Sequence, residues 1–200
     1  MQDYASLSIH LVSEAAQVCR PEQMDRKVTL DSPAIEVMTD LKQVFAAVVD
    51  PNGSMESANH YMIQRGVRLL LALNPDKTLA GLVTSTDILG EKPVRLIQER
   101  RIKHSEILVS DVMTPANRID ALDFADVSHA RVGHIVASLK ATGRQHALVV
   151  ERADKNSPRI RGIYSLSQIA RQLGYTIQTN EVAKSFAEIE AVMMADSAMA

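Results

Sequence analysis

The chain has little of what most specialised architectures require. Its 200 residues include one cysteine, Cys19, so neither an internal disulfide nor a cysteine metal cluster is available. That usage fits a reducing compartment. Aromatic residues are only 4% and tryptophan is absent, so the 46% of hydrophobic residues must build an aliphatic core. No apolar run approaches the length that crosses a bilayer as a helix. His10 and Glu14 interrupt the nearest N-terminal apolar stretch, so no signal peptide is expected. The expectation is a soluble, cytoplasmic protein. There is no large charge of either sign: 22 basic against 24 acidic residues give −2, which argues against a protein built to hold nucleic acid or an anionic membrane. No G-x-G-x-x-G, Walker A or H-E-x-x-H pattern occurs. His129 and His134 are five apart, off the spacing that puts two ligands on one helical face, so no metal site is expected. Cys19 has no local partner pattern for a nucleophile, and no base–nucleophile set is visible. Catalysis is therefore not expected.

What the chain does have is a repeat. "EVMTD" at 36–40 returns as "DVMTP" at 111–115, and "MIQRGVRLLLAL" at 62–73 returns as "SLKATGRQHALVV" at 138–150. "GLVTSTDIL" at 81–89 returns as "GIYSLSQIA" at 162–170. The offsets grow in one direction: 112 − 37 = 75, 143 − 66 = 77 and 162 − 81 = 81. Insertions in loops would produce such growth, and "ERADKNSPR" at 151–159 stands where the first copy has the short turn "NPDKT".

Each copy reads as β-α-β-β-α. In the first, Ser32-Pro33 suggests an N-cap followed by proline in a first helical turn. "VFAAVVD" at 44–50 is a strand candidate, and Pro51-Asn52-Gly53 is a turn signal. Ser54 is placed to cap a helix ending at Arg65, with Ala58, Tyr61, Met62 and Val67 on its buried side and Gly66 at the left-handed position after it. "VRLLLAL" does not alternate, as expected of a strand covered on both faces. "LAGLVTS" is the next strand, and a helix from Thr86 to Arg101 follows, capped by Thr84 or Thr86. The second copy predicts a strand near 118–122, a helix over 126–142, Gly143, strands at 144–150 and 160–165, and a helix over 167–173. Tyr4, Leu7, Leu11, Ala15 and Val18 share one helical face, as do Val182, Phe186, Ile189 and Met193, so two terminal helices are predicted. The division expected is 1–29 as an N-terminal extension, 30–103 and 104–174 as the repeats, and 175–200 as a C-terminal tail.

The chemistry gathers where a strand meets a helix, at Thr84-Ser85-Thr86-Asp87. Unpaired amides and the dipole of a helix start favour an anion. Hydroxyls add neutral donors, and a carboxylate can accept both hydrogen bonds of a vicinal diol such as a ribose. A phosphate on the amides and hydroxyls with a ribose on Asp87 suits a nucleotide. The alternative is a helix cap with no ligand, because Thr-x-x-Asp is also ordinary capping chemistry.

Two β-α-β-β-α units, each ending in this signature and each preceded by a "VMT" element, resemble the cystathionine-β-synthase (CBS) domain pair over roughly residues 30–174. The resemblance implies an α/β (α+β) fold of two pseudo-symmetric repeats that share their clefts. It implies a non-catalytic regulatory module binding AMP, ADP or ATP, with S-adenosylmethionine a further candidate and no required cofactor. It also implies a flat homodimer that passes its signal to a separate effector protein. By position, Thr84, Thr86 and Asp87 would hold phosphate and ribose in one site, and Ser165, Ser167 and Gln168 in the other, with Gln168 the weaker ribose partner. Arg68 and Arg144 would approach phosphates. Main chain near Val67 and Gly143 would meet the adenine in the opposite copy's site, beside the segments at Met38 and Met113. The rival expectation is a dimeric adaptor with vestigial clefts.

Overall fold

The computed structural model describes residues 28–152 and 158–174, with Leu11 alone before them. The two expected terminal helices and Cys19 lie outside the described residues. In chain order the first half comprises β1 (Thr39–Asp40), β2 (Val48–Val49), α1 (Met55–Arg65), β3 (Leu69–Leu73), β4 (Leu79–Thr84), α2 (Ser85–Leu89) and α3 (Glu91–Arg100). The second comprises α4 (Val109–Val112), β5 (Thr114–Pro115), β6 (Ala121–Asp123), α5 (Phe124–Val127), α6 (Val132–Thr142), β7 (His146–Glu151), β8 (Arg159–Ser165) and α7 (Leu166–Gln172). The predicted β-α-β-β-α order therefore holds twice, as β2-α1-β3-β4-α2 and as β6-α6-β7-β8-α7.

Local chemistry explains most boundaries. The Ser54 hydroxyl accepts from the Ser57 amide to open α1, and Gly66 closes it at φ 62°; Gly143 closes α6 at the same φ. Four expectations are corrected. The strand read at 44–50 contracts to Val48–Val49. The helix read over 86–101 breaks at Gly90 into α2 and α3, with Pro93 tolerated in the first turn of α3. The helix read over 126–142 becomes α5, capped by Asp123, then a turn and α6. Ser32 caps no helix: its hydroxyl accepts from the Thr29 amide, and only a 3-10 turn at Ala34–Val37 follows Pro33.

The two four-stranded sheets have the orders β2-β3-β4-β5 and β1-β8-β7-β6. Within each, the first strand of the repeat core runs parallel to the second and the remaining pairs are antiparallel. The outer strands are exchanged between copies. The "VMT" segment of the first copy supplies β1, which pairs Thr39 with Ile163 in the second sheet. That of the second supplies β5, which pairs Thr114 with Leu82 in the first. The exchange explains a glycine in each signature. A Cβ on Gly81 would meet the Thr114 carbonyl oxygen and the Met113 sulfur, and one on Gly162 would run into the Met38 side chain.

Packing follows the exchange. Ala34, Val37 and Met38 are buried in the second copy's core with Val132, Ile135 and Leu139 of α6. Ile107, Val109 and Val112 are buried in the first copy's core with Met55, Ala58 and Met62 of α1. Between the sheets lies a third cluster, centred on Leu69, Leu71 and Leu148. This is why "LLLAL" does not alternate: Leu70 and Ala72 face the helices, while Leu69 and Leu71 face the other sheet. Tyr164, fully buried, donates its hydroxyl to the Ala34 carbonyl at 3.0 Å and so ties the exchanged segment to β8. Arg161 beside it pairs with Asp40 and Glu151 and lies 4.8 Å over the Phe124 ring. Burial pushes the Asp40 carboxyl up, but hydrogen bonds from Arg161 and the Lys42 amide outweigh it and hold it below its usual range.

Candidate functional site: two clefts shared between the copies

Strand exchange and the inter-sheet core bring the start of each copy's second strand against the signature of the other copy. Two clefts result. One, of about 370 Å³, is walled by Thr84, Thr86 and Asp87 from the first copy and by Thr114, Gly143, Arg144, Gln145 and His146 from the second. The other, of about 410 Å³, is walled by Ser165, Ser167, Gln168 and Arg171 from the second copy and by Arg65, Gly66, Val67 and Arg68 from the first, with Thr39 and Phe45 at its side. The structure thus gathers ten of the twelve residues named from the sequence into two clefts, each lined by both copies. The exceptions are Met38 and Met113. Their side chains pack on Gly162 and Gly81, and it is their neighbours Thr39 and Thr114 that reach the cleft walls.

The aspartate cleft begins with a capping box. Asp87 Oδ2 accepts from the Thr84 amide at 2.8 Å and from the Thr84 hydroxyl at 2.7 Å, while the Asp87 amide donates back to Thr84 Oγ1. Oδ1 takes the Lys92 ammonium at 2.5 Å, and that ammonium also donates to the Val112 carbonyl. The Ser85 amide donates to the Arg68 carbonyl. The expectation of unpaired amides waiting for a phosphate is therefore narrowed to the Thr86 amide. The helix start satisfies the amides of residues 84, 85 and 87 internally, and α2 is only five residues long. What remains for a ligand is the Thr86 amide and hydroxyl, the outward lone pairs of the Asp87 carboxylate and the Arg144 guanidinium. Arg144 is held by Asp120 at 2.9 Å.

The arginine cleft is chemically different. Gln168 stands where Asp87 does; its carbonyl oxygen takes the Thr39 hydroxyl at 3.3 Å, and its amide N–H groups make it a donor where Asp87 can only accept. Ser165 does not cap α7; its hydroxyl lies 3.0 Å from that of Ser167. Arg65, Arg68 and Arg171 line this cleft, and no carboxylate is among its described lining residues.

His146 lines both clefts and was not singled out by sequence reasoning, which weighed histidines only as metal ligands. In register His146 faces Ser165 as Leu69 faces Thr84, so it is the counterpart of Leu69. Burial, then the Arg68 charge, pushes its pKa down to about 4, against an opposing pull from Asp87. The imidazole is neutral at ordinary pH. The same register makes Arg144 the counterpart of Val67, and Arg68 that of Gln145. The available signal was the polar run Arg144-Gln145-His146 at the head of an otherwise apolar strand.

Among the described residues no group of three His, Cys, Asp or Glu side chains comes together, and no helix is long and apolar enough to cross a membrane. Residues 28–93 match the family described as CBS domain. No curated protein matches the chain. Among solved structures, an uncharacterized conserved protein from Pyrococcus horikoshii is 20% identical, with a TM-score of 0.54 over 76% of this chain and 100% of that one. CBSX2, an Arabidopsis thaliana protein, solved in complex with AMP, is 22% identical with a TM-score of 0.51 over 70% of this chain and 94% of that one. The CBS-domain containing protein ATU1752 from Agrobacterium tumefaciens is 15% identical, with a TM-score of 0.50 over 68% of this chain and 93% of that one. At these identities the likeness is one of fold.

Proposed function

We propose that this chain, a tandem CBS-domain protein, is a non-catalytic regulatory module that binds adenine nucleotides in the clefts shared by its repeats. The observation that carries the reading is the composition of the clefts. Each combines hydroxyls at a strand–helix junction with an arginine contributed by the opposite copy, so a ligand bridging them holds the two copies in one arrangement. The AMP bound by CBSX2 adds support from a chain of the same fold. In the aspartate cleft Thr86 and Arg144 take the phosphate and Asp87 takes the ribose diol. Main chain at Gly143 borders the base there, as Val67 does in the other cleft. Signalling then rests on differential affinity: a ligand shifts the module only by what it gains in one arrangement over another. The chain assembles as a cytoplasmic homodimer and hands its signal to a separate effector protein.

A second reading, a dimeric adaptor with vestigial clefts, is favoured by one observation: the Asp87 carboxylate is already engaged by Thr84 and Lys92. A thermal-shift panel of AMP, ADP, ATP and S-adenosylmethionine separates the two. Ligand at a hundred times its Kd stabilises the folded chain by about 2.7 kcal/mol, so the regulatory reading expects a rise in Tm with at least one compound. A flat panel at millimolar ligand leaves the adaptor reading in its place.

A further inference from the structure

The two clefts place their charges at different positions, each charged side chain standing against an uncharged one in the other copy. Each arginine of the arginine cleft has an uncharged counterpart in the other copy: Arg65 stands against Thr142, Arg68 against Gln145, and Arg171 against Gly90, and of the three counterparts only Gln145 lines the aspartate cleft. Conversely, Asp87 stands against Gln168 and Arg144 against Val67. The counterpart of Lys92, which holds Asp87, is Leu173. The ribose acceptor and its cation are thus both missing from the second copy, while three guanidinium groups have been added around the cleft it helps to form. The geometry reinforces the charge. With the Gln168 carbonyl engaged by Thr39, that wall presents N–H and O–H groups rather than a carboxylate. Arg171 reaches the cleft because α7 continues past the point where Gly90 ends α2. Phe45, 96% exposed at the same cleft, offers an aromatic face on which a base can stack, and no Phe, Tyr or Trp is among the described residues lining the aspartate cleft.

From this pattern we infer that the arginine cleft is selective for a polyphosphate chain, as in a nucleoside di- or triphosphate, while the aspartate cleft takes nucleosides and monophosphates. The inference rests on the nucleotide reading above for the base but not for the phosphates. Guanidinium groups bind phosphate oxygens in paired, charge-assisted hydrogen bonds. Three of them with no lining carboxylate favour the ligand of higher negative charge.

The test uses calorimetry on the full chain with AMP, ATP and inorganic tripolyphosphate. The Asp87→Asn background isolates the arginine cleft, and the Arg65→Gln/Arg171→Gln double variant, changed at two exposed positions, disables it. In the Asp87→Asn background ATP is expected to bind at least tenfold more tightly than AMP, with tripolyphosphate displacing it. In the double variant ATP and tripolyphosphate are expected to lose at least tenfold while AMP binding at the aspartate cleft stays within twofold. Equal affinities for AMP and ATP in the first protein, or equal losses for AMP and ATP in the second, would overturn the assignment. If tripolyphosphate binds and adenine compounds do not, the nucleotide reading fails and the polyphosphate cleft stands. If AMP binds and tripolyphosphate does not, the polyphosphate cleft fails and the nucleotide reading stands.

Discussion

At the turn before α2 the first copy places Thr84, Thr86 and Asp87; at the same turn before α7 the second places Ser165, Ser167 and Gln168. The backbones agree down to single bonds. The Ser85 amide donates to the Arg68 carbonyl in one copy, and the Leu166 amide donates to the Gln145 carbonyl in the other. The side chains part company. The first turn is closed on itself by a capping box and a lysine, and the second is left open with its polar groups facing a basic cleft. A duplicated backbone thus holds two clefts in mirror-like positions, while a few side chains per copy set what each cleft can attract.

Several substitutions break or sharpen that contrast. The largest effect is expected at His146, whose counterpart Leu69 carries no charge. Its folded pKa of about 4 lies below the ordinary value of 6.5, so the unfolded chain takes up its proton first as pH falls. Stability from this group is present in full above pH 6.5 and is lost as pH falls from 6.5 through 4. At about 1.4 kcal/mol per unit, the loss approaches about 3 kcal/mol. Denaturant unfolding of the parent and of His146→Leu between pH 7 and pH 4 should show the parent losing that much more. Parallel curves would mean that the imidazole is not held neutral by its surroundings.

Next is Asp87→Asn, tested against Gln168→Asp. If Asp87 holds a ribose, the first change loses a charge-assisted hydrogen bond of roughly 1.5–3 kcal/mol, or about tenfold to a hundredfold in AMP affinity. Because an Asn side-chain oxygen can still accept from the Thr84 amide in the capping box and Lys92 is half exposed, unliganded stability should fall by no more than about 1 kcal/mol. Gln168→Asp should bring the second cleft toward the first and raise its AMP affinity. An Asp87→Asn chain that binds AMP like the parent removes the ribose role.

Gly81→Ala and Gly162→Ala compare the two exchanged strands. At Gly81 a Cβ meets the Thr114 backbone oxygen, which cannot move without shifting β5, so a loss of about 1–3 kcal/mol is expected. At Gly162 it meets the Met38 side chain, which can change rotamer, so the loss should be the smaller of the two. Equal losses by denaturant titration would show that the methionine is as rigidly held as the backbone. The smallest effect is expected for Tyr164→Phe, where the first copy has Val83. It orphans the buried Ala34 carbonyl, for about 1 kcal/mol, with no change in ligand affinity.

Much of this contrast was readable beforehand, because its carriers are local. The signature, the capping serine of α1 and the glycines closing α1 and α6 each depend on a few adjacent residues, and each was found where spacing placed it. Asp87 and Gln168 were also visible as unequal. What the sequence did not disclose depends on contacts between distant segments. The exchange of β1 and β5 joins residues such as Thr39 and Ile163, and no periodicity reports it. Three arginines converge from α1, the start of β3 and α7, so no short stretch looks basic enough to mark the cleft. The break at Gly90 was misread because one glycine is tolerated in many helices, and here the following Glu91–Arg100 segment carried its own helical pattern across the gap.

The exchange of outer strands also sets an order of events during synthesis. The first sheet becomes complete once the ribosome has delivered Thr114–Pro115, since β5 is its last strand. The Thr39–Asp40 segment has by then long left the exit tunnel, yet its partner β8 ends only at Ser165. A strand released early must wait, unpaired, for more than half of the chain to follow it, and closing so long a loop comes late. Its brevity and its acidic end suit that delay, because a long apolar edge left waiting would invite pairing with another nascent chain.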